Sequence, residues 1–207
     1  MVRILAIGDS HIPRRAKEVP LKIIEKLKNL TKEELFDYTF FTGDVIDAPD
    51  FMELLKNITK RDLLIVLGNM DYYGGNRDAP IYRELTLNFN GDRRVVIGLT
   101  HGAQISPRGD TFQLEQLAIE KGYNVLISGH THQEEITLTN NGILLLNPGS
   151  VTGAWSFIAS GIPSFIVLNI GENSGILKVS LFRLKHGDIQ ETKHDYLFKD
   201  NKICTLS

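Results

Sequence analysis

Five short motifs in this chain carry seven side chains able to bind a cation. Asp9 and His11 lie in Gly8-Asp9-Ser10-His11, Asp44 in Thr42-Gly43-Asp44, and Asn69 in Gly68-Asn69-Met70-Asp71. His101 follows in Thr100-His101-Gly102, then His130 and His132 in Gly129-His130-Thr131-His132. Carboxylate, imidazole and amide oxygen form a donor set suited to borderline divalent ions such as manganese, iron or zinc rather than to thiolate-seeking ions. Asp9-x-His11 and His130-x-His132 each read as two donors on one side of an extended segment, because residues two apart in a strand point the same way. Two such pairs plus three further donors exceed what one tetrahedral ion takes. Two ions are therefore expected, with a carboxylate bridging them, and Asp44 is the candidate bridge. Two ions ~3.5–4 Å apart lower the pKa of a shared water and clamp an in-line displacement. The expected chemistry is metal-assisted hydrolysis with hydroxide as the nucleophile. A lone histidine or aspartate at a strand end is usually a surface or turn residue. Here, however, four of the six histidines fall in glycine-flanked motifs. His186 and His194 lie outside them and read as solvated.

Each motif follows an apolar run, so buried strands must deliver the donors. Val2–Gly8 is an apolar run broken only by Arg3 and reads as a strand covered on both faces. Pro20 opens a helix in which Leu21, Ile24, Leu27 and Leu30 recur on one side. Tyr38–Thr42 and Leu63–Leu67 read as strands, with a helix from Pro49 through Leu55 between them. Val95–Thr100 and Val125–Ser128 read as strands around a helix over Thr111–Lys121, with Asp110 as its N-cap. Asn140-Asn141-Gly142 between Glu135–Thr139 and Ile143–Leu146 is a hairpin signal. Pro163–Ile170, Ile176–Leu184 and Ile189–Tyr196 form a β-meander pattern. Strand–helix units thus precede antiparallel strands. Two sheets packed face to face with helices outside, in one domain spanning residues 1–207, accommodate both halves. Tyr72–Pro80, with Gly74 and Gly75, is the expected mobile loop.

Bulk composition restricts the function classes. The 207 residues are 42% hydrophobic and 23% charged, ordinary for a globular chain able to bury its own core. A net charge of −2 gives no electrostatic signal for nucleic acid or anionic membrane. Cys204 is the one cysteine, so no intramolecular disulfide forms and a reducing compartment is the simple expectation. No apolar run approaches the ~20 residues of a membrane span. A cytoplasmic location is expected, with membrane association only through a partner.

The ordered set D-x-H, G-D, G-N, H-G and G-H-x-H resembles the calcineurin-like metallophosphoesterases. That resemblance implies a four-layer αββα sandwich. It also implies a ligand division: Asp9, His11, Asp44 and His132 for one ion, and Asp44, Asn69, His101 and His130 for the other. His101, Asp44 and Asn69 then double as catalytic residues. Manganese is the first expectation for both ions, with zinc, iron or magnesium as alternatives, and no organic cofactor is implied. Within the family, Gly8–Arg15, Ile97–Gly102, Pro107–Asp110, Leu126–His132, Asn147–Ala154 and Ile162–Phe165 are similar to the retromer-subunit branch, vacuolar protein sorting-associated protein 29. The small prokaryotic phosphodiesterases of that branch share the Asn-Pro-Gly-Ser turn. Eukaryotic retromer subunits typically have degraded motifs at the positions of Asp44 and Asn69, which are intact here. Many family enzymes place a histidine after the G-N asparagine, where this chain has Met70.

The expectation is a phosphodiesterase of modest activity acting on a phosphodiester of unknown identity. The alternative is a retromer-like scaffold for protein sorting that binds a helical-solenoid partner, with its metal site retained. Arg14, Arg15 and Arg108 are candidates to orient a phosphate, although isolated charges usually sit in water. Asp71 is expected to hold its loop through backbone hydrogen bonds rather than as a ligand, and Asn147-Pro148-Gly149-Ser150 to be a structural turn. Trp155 and Phe157 present either an exposed patch or, more commonly for such residues, core.

Overall fold

Apolar residues alternate between two destinations along the central strands, and this organises the molecule. The computed structural model describes residues 1–89 and 94–206. Along β1 (Val2–Ile7), Val2, Ile4 and Ala6 enter one core cluster while Leu5 and Ile7 enter another. A strand buried on both faces needs a nearly continuous apolar run, which here only the half-buried Arg3 interrupts.

The remaining elements in chain order are α1 (Leu21–Leu30), β2 (Phe36–Phe41), α2 (Pro49–Asn57), β3 (Thr59–Ile65), α3 (Asn69–Tyr73), β4 (Tyr82–Asn88), β5 (Arg94–Thr100) and α4 (Thr111–Lys121). They are followed by β6 (Val125–Ile127), β7 (Glu134–Leu138), β8 (Leu144–Pro148), β9 (Ser164–Ile170), β10 (Ile176–Lys185), β11 (Asp188–Lys199) and β12 (Lys202–Thr205). One sheet runs β12-β11-β10-β9-β1-β2-β3 and the other β4-β5-β6-β8-β7. The largest core cluster lies between them, drawing Ile4, Phe40, Ile166 and Leu168 from the first sheet and Ile97, Leu99, Ile127 and Leu146 from the second. Ile23 and Leu27 of α1 and Phe51 and Leu55 of α2 cover the outer face of the first sheet. Leu114 and Ala118 of α4 cover the second, against Leu126 and Leu145. The architecture is the expected αββα sandwich of two mixed sheets.

Topology brings the motif-bearing strand ends to one place. β1, β2 and β3 are parallel neighbours, and β5 and β6 are parallel in the facing sheet. Their carboxyl ends, where ligands gather in open α/β sheets, are the points from which all five motifs leave.

Local signals held in several places. The Asp110 carboxylate accepts a hydrogen bond from the Gln113 N–H at 2.8 Å, capping α4. β7 and β8 pair antiparallel across the Asn-Asn-Gly turn, with Gly142 at φ 80°. β9, β10 and β11 form the meander. Other readings need correction. Leu21 is 70% exposed; α1 buries the expected Leu27 together with Ile23, the i, i+4 pair of a 3.6-residue turn, while Ile24 and Leu30 are partly buried against the same cluster. β3 starts four residues before the apolar run, pairing Thr59 with Phe36 of β2. Tyr72 and Tyr73 belong to α3, and the loop beyond is tied at its far end by Leu67 N–H donating to the Pro80 carbonyl at 2.8 Å. The strand β4 follows, where none had been expected.

Candidate metal centre

The β1 end supplies Asp9 and His11, β2 supplies Asp44, and the start of α3 after β3 supplies Asn69. The ends of β5 and β6 supply His101, His130 and His132. Ligand-capable atoms of Asp9, His11, Asp44 and His132 all lie within 4.8 Å of one another, and all four residues are buried. His132 Nε2 is 2.9 Å from His11 Nε2 and 3.3 Å from Asp9 Oδ1. The other three candidates gather about His101 Nε2, which is 3.1 Å from Asn69 Oδ1, 3.1 Å from His130 Nδ1 and 3.6 Å from Asp44 Oδ2. Asp44 Oδ2 is also 3.3 Å from His11 Nε2, so this carboxylate stands between the two groups.

Convergence does not arise from strand alternation, as Asp-x-His had suggested. Asp9, His11, Asp44, His130 and His132 have φ between 49° and 69°, in the left-handed region. Asp and His tolerate that region better than most residues, but each such residue still costs on the order of 1–3 kcal/mol. The strain persists because the loops lock one another. His11 N–H donates to the Asp44 carbonyl at 3.0 Å, Asp9 N–H to the Gly43 carbonyl at 3.0 Å, and Gly129 N–H to the His101 carbonyl at 3.0 Å.

Outer contacts orient the donors. His101 Nδ1 lies 2.7 Å from the Thr42 carbonyl and His132 Nδ1 lies 2.9 Å from the Ala154 carbonyl. A carbonyl can only accept, so each Nδ1 carries the proton and each Nε2 is left facing the centre. Asp71 accepts three backbone hydrogen bonds, from Asp44 at 2.7 Å, Ile46 at 2.9 Å and Gly68 at 3.2 Å, the supporting role expected of it. Asn147 donates to the Gly129 carbonyl at 3.1 Å and to Thr131 Oγ1 at 2.9 Å, and Ser150 Oγ donates to the Asp9 carbonyl at 2.7 Å. The Asn-Pro-Gly-Ser turn therefore ties the β1 and β6 loops together. Met70 contributes its backbone: its N–H donates to Asp44 Oδ1 at 2.8 Å.

Electrostatics at the site favour a cation. Burial lifts the Asp44 carboxyl above the usual carboxylate range; the His101 imidazole opposes the rise and the Asp9 charge adds to it. For Asp9 burial also pushes upward, but His132, His11 and His101 outweigh it and hold the group well below its ordinary value. His132 is raised, because the Asp9 carboxylate overcomes the downward push of burial. His130 is pushed down to about 3 by burial first, then by the charges of His101 and Arg108. Among the described residues Asp9 Oδ1 is buried without a hydrogen-bond donor. Two buried carboxylates, an orphaned oxygen and ring nitrogens turned toward one another are what a divalent ion satisfies, so the residues fit a metal.

The family model for the calcineurin-like phosphoesterase superfamily domain matches residues 2–173. The chain belongs to that superfamily. A probable metallophosphoesterase from Methanocaldococcus jannaschii is 38% identical over 146 residues, 70% of this chain and 66% of that protein, so the chain spans just under two thirds of that relative. Vacuolar protein sorting 29 from Cryptosporidium parvum superposes with a TM-score of 0.80 at 29% identity, covering 95% of this calcineurin-like chain and 98% of the other. Vps29 from Entamoeba histolytica complexed with zinc superposes with a TM-score of 0.75 at 25% identity, covering 94% and 99%.

All seven motif residues of this superfamily member are brought to one centre. His186 and His194 are exposed and far along the chain, on the β10–β11 hairpin. The Thr42 and Ala154 carbonyls had not been singled out. Backbone acceptors have no residue-type signature, although Thr42 stands in the Thr-Gly-Asp motif. Trp155 and Phe157 are exposed beside the centre rather than in the core.

Proposed function

We propose that the chain is a single-domain, divalent-metal-dependent phosphodiesterase with a dinuclear centre. The observation that carries this reading is Asp44, whose Oδ2 lies 3.3 Å from His11 of one donor group and 3.6 Å from His101 of the other. Asp9, His11, Asp44 and His132 would hold one ion and Asp44, Asn69, His101 and His130 the second, with manganese, zinc or iron all suited to a nitrogen–oxygen donor set and manganese the first choice on the family resemblance. Two divalent ions held there would supply Lewis acidity, making a water nucleophilic at neutral pH and offsetting phosphoryl charge. The chain's own part is positional. Asp71 and the Met70 N–H fix the Asp44 carboxylate, the Thr42 and Ala154 carbonyls fix the tautomers of His101 and His132, and Asn69 and His101 flank the place a phosphoryl oxygen would take.

Met70 stands where a proton-donating histidine would be, and a thioether cannot protonate a leaving group. General acid help is worth typically ~10²–10⁴-fold, so modest rates and a preference for good leaving groups are expected. The test is hydrolysis of bis(p-nitrophenyl) phosphate by the protein loaded with manganese, iron, zinc or magnesium. Turnover with at least one metal, abolished by Asp44→Ala, is the expected result. No turnover above buffer with any metal rejects the proposal.

The likeness to Vps29 over nearly the whole chain supports a second reading, a retromer-like scaffold that docks a helical-repeat protein. A stoichiometric helical-repeat partner whose binding survives Asp44→Ala would favour it, and both roles can coexist.

A further inference from the structure

Most large apolar side chains of this protein are buried, but Trp155 is 63% exposed and Phe157 78% exposed. Their rings meet edge-on, with centroids 5.1 Å apart and planes at 61°. This exposure does not come from a loose segment. Ala154, before Trp155, is pinned through its carbonyl to His132 Nδ1 at 2.9 Å and through its N–H to Ser150 Oγ at 2.9 Å. Ser156, between the two rings, is buried and donates its hydroxyl to the Thr131 carbonyl at 2.5 Å. The residues on both sides of Trp155 are thus stapled to the loop that carries His130 and His132, Ala154 through its carbonyl and Ser156 through its hydroxyl, and the rings are held out at the rim of the metal centre.

Two arginines join this rim. Arg15 Nη1 donates to the Trp155 carbonyl at 2.9 Å, and the Arg108 guanidinium lies 5.6 Å from the Phe157 ring centroid. Both are exposed, and among the described residues neither makes an ion pair with a carboxylate. Their charges also reach the centre, Arg15 acting on His132 and Arg108 on His130. Cations without carboxylate partners beside a phosphate-processing centre suit an anion, and exposed rings next to them suit a flat aromatic group attached to that anion.

We propose that Trp155 and Phe157, with Arg15 and Arg108, form a specificity platform for a phosphodiester whose non-leaving ester group carries an aromatic ring, as a nucleoside does. The ring stacks on the aromatic pair while the guanidinium groups take the phosphate charge. The proposal rests on the hydrolase reading and deepens it, by naming the substrate class. Arg14 is exposed and takes no part.

The experiment compares two esters with one leaving group: the p-nitrophenyl ester of thymidine 5′-phosphate and methyl p-nitrophenyl phosphate. Stacking of one base corresponds to a preference of about tenfold or more in kcat/KM, carried mainly by KM. The double variant Trp155→Ala, Phe157→Ala should bring the ratio near one, and because both side chains are exposed the fold should be retained. Trp155 is the sole tryptophan, so fluorescence excited at the red edge of indole absorption, where tyrosine does not absorb, reports on the platform. Saturable quenching by thymidine 5′-monophosphate, absent with ribose 5-phosphate, is the expected binding readout. Equal hydrolysis of the two esters with no selective quenching overturns the platform and leaves the hydrolase standing. Failure to hydrolyse either ester with any metal rejects the hydrolase. The fluorescence titration then still decides the platform, which selective quenching supports and its absence overturns.

Discussion

Gly68→Ala tests whether the candidate bridging carboxylate is positioned by the absence of a side chain. Gly68 has φ −83° and ψ 157°, an extended conformation open to any residue, so backbone strain is not at issue. Space is. A Cβ at this position would lie 2.7 Å from Asp44 Cγ and nearer still to Oδ1 and to the Asp44 amide nitrogen. Ordinary contact begins at 3.4 Å, so Cγ alone would have to retreat by about 0.7 Å, and the nearer Oδ1 and backbone amide nitrogen by more than about 1 Å. That movement loosens the 2.7 Å bond from the Asp44 N–H to Asp71 and the 2.8 Å bond from the Met70 N–H to Asp44. Metal–ligand distances tolerate only about ±0.2 Å, and a misplacement near 1 Å costs on the order of 10²-fold in rate. Overpacking itself costs about 1–3 kcal/mol. The expected outcome is a folded protein with bis(p-nitrophenyl) phosphate turnover reduced about 10²-fold and manganese affinity reduced about 10–100-fold. Steady-state kinetics and metal titration followed by elemental analysis would measure both. Gly74→Ala is the control: its φ is −75°, and the nearest atoms to an added Cβ are backbone oxygens at 3.1 and 3.3 Å. Wild-type metal affinity and turnover in Gly68→Ala would refute the reasoning.

Three further outcomes follow from the same geometry. Asp71→Asn turns an amide NH₂ toward a backbone N–H in a buried cluster, and should cost about 1–3 kcal/mol in urea unfolding with chelator present; unchanged stability would show that a full carboxylate is not needed to hold the Asp44, Ile46 and Gly68 N–H groups. Saturating metal at about 100 times its dissociation constant adds ~2.7 kcal/mol, so chelation should lower Tm by about 5–10 °C for a chain of this size, and a Tm indifferent to chelator would count against a metal site. The pKa of His132 is raised above its ordinary 6.5, and that of Asp44 is raised too, so metal competes with protons at both groups. Affinity should therefore increase as pH rises through the elevated His132 value, with about one proton released by that group, measurable by calorimetry in buffers of different ionisation enthalpy; pH-independent affinity between about 6 and 8 without proton release would contradict it.

The site was more legible than its supports. Donor types and their order are written in side chains, and the apolar runs before them located the strand ends from which Asp9, Asp44, Asn69, His101 and His130 emerge. Asp110 was legible because it directly precedes a helix start, and Asp71 because a loop carboxylate commonly accepts backbone N–H groups. Asp-x-His misled because period two also describes a strand, and nothing in a dipeptide spacing distinguishes extended backbone from the left-handed turns found there. β4 was missed because Tyr82–Asn88 mixes Arg, Glu, Thr and Asn into an edge strand that packs through Leu85 and Leu87. β12 has four residues, too few for a periodic signal. Trp155 and Phe157 went against the usual burial of aromatic residues because the Ala154 backbone and the Ser156 hydroxyl, whose partners are set by the fold, hold them at the rim.

The motif glycines carry the same lesson from the other side. A Cβ on Gly8 would meet Thr42, one on Gly129 would meet Thr42 and Asp9, and one on Gly68 would meet Asp44. Gly8, Gly68 and Gly129 are therefore glycine because the donor-bearing loops press against one another, with no room for a side chain between them. Close packing of this kind holds five residues in left-handed backbone and keeps Asp44 and Asp9 side by side under burial, two conditions that each disfavour the folded chain. A site built only for structural support would relieve both by accepting apolar residues and open turns. The arrangement becomes favourable once positive charge is placed between Asp9, Asp44 and the histidines, and that ties the strain in the loops to metal binding rather than to the sandwich that carries them.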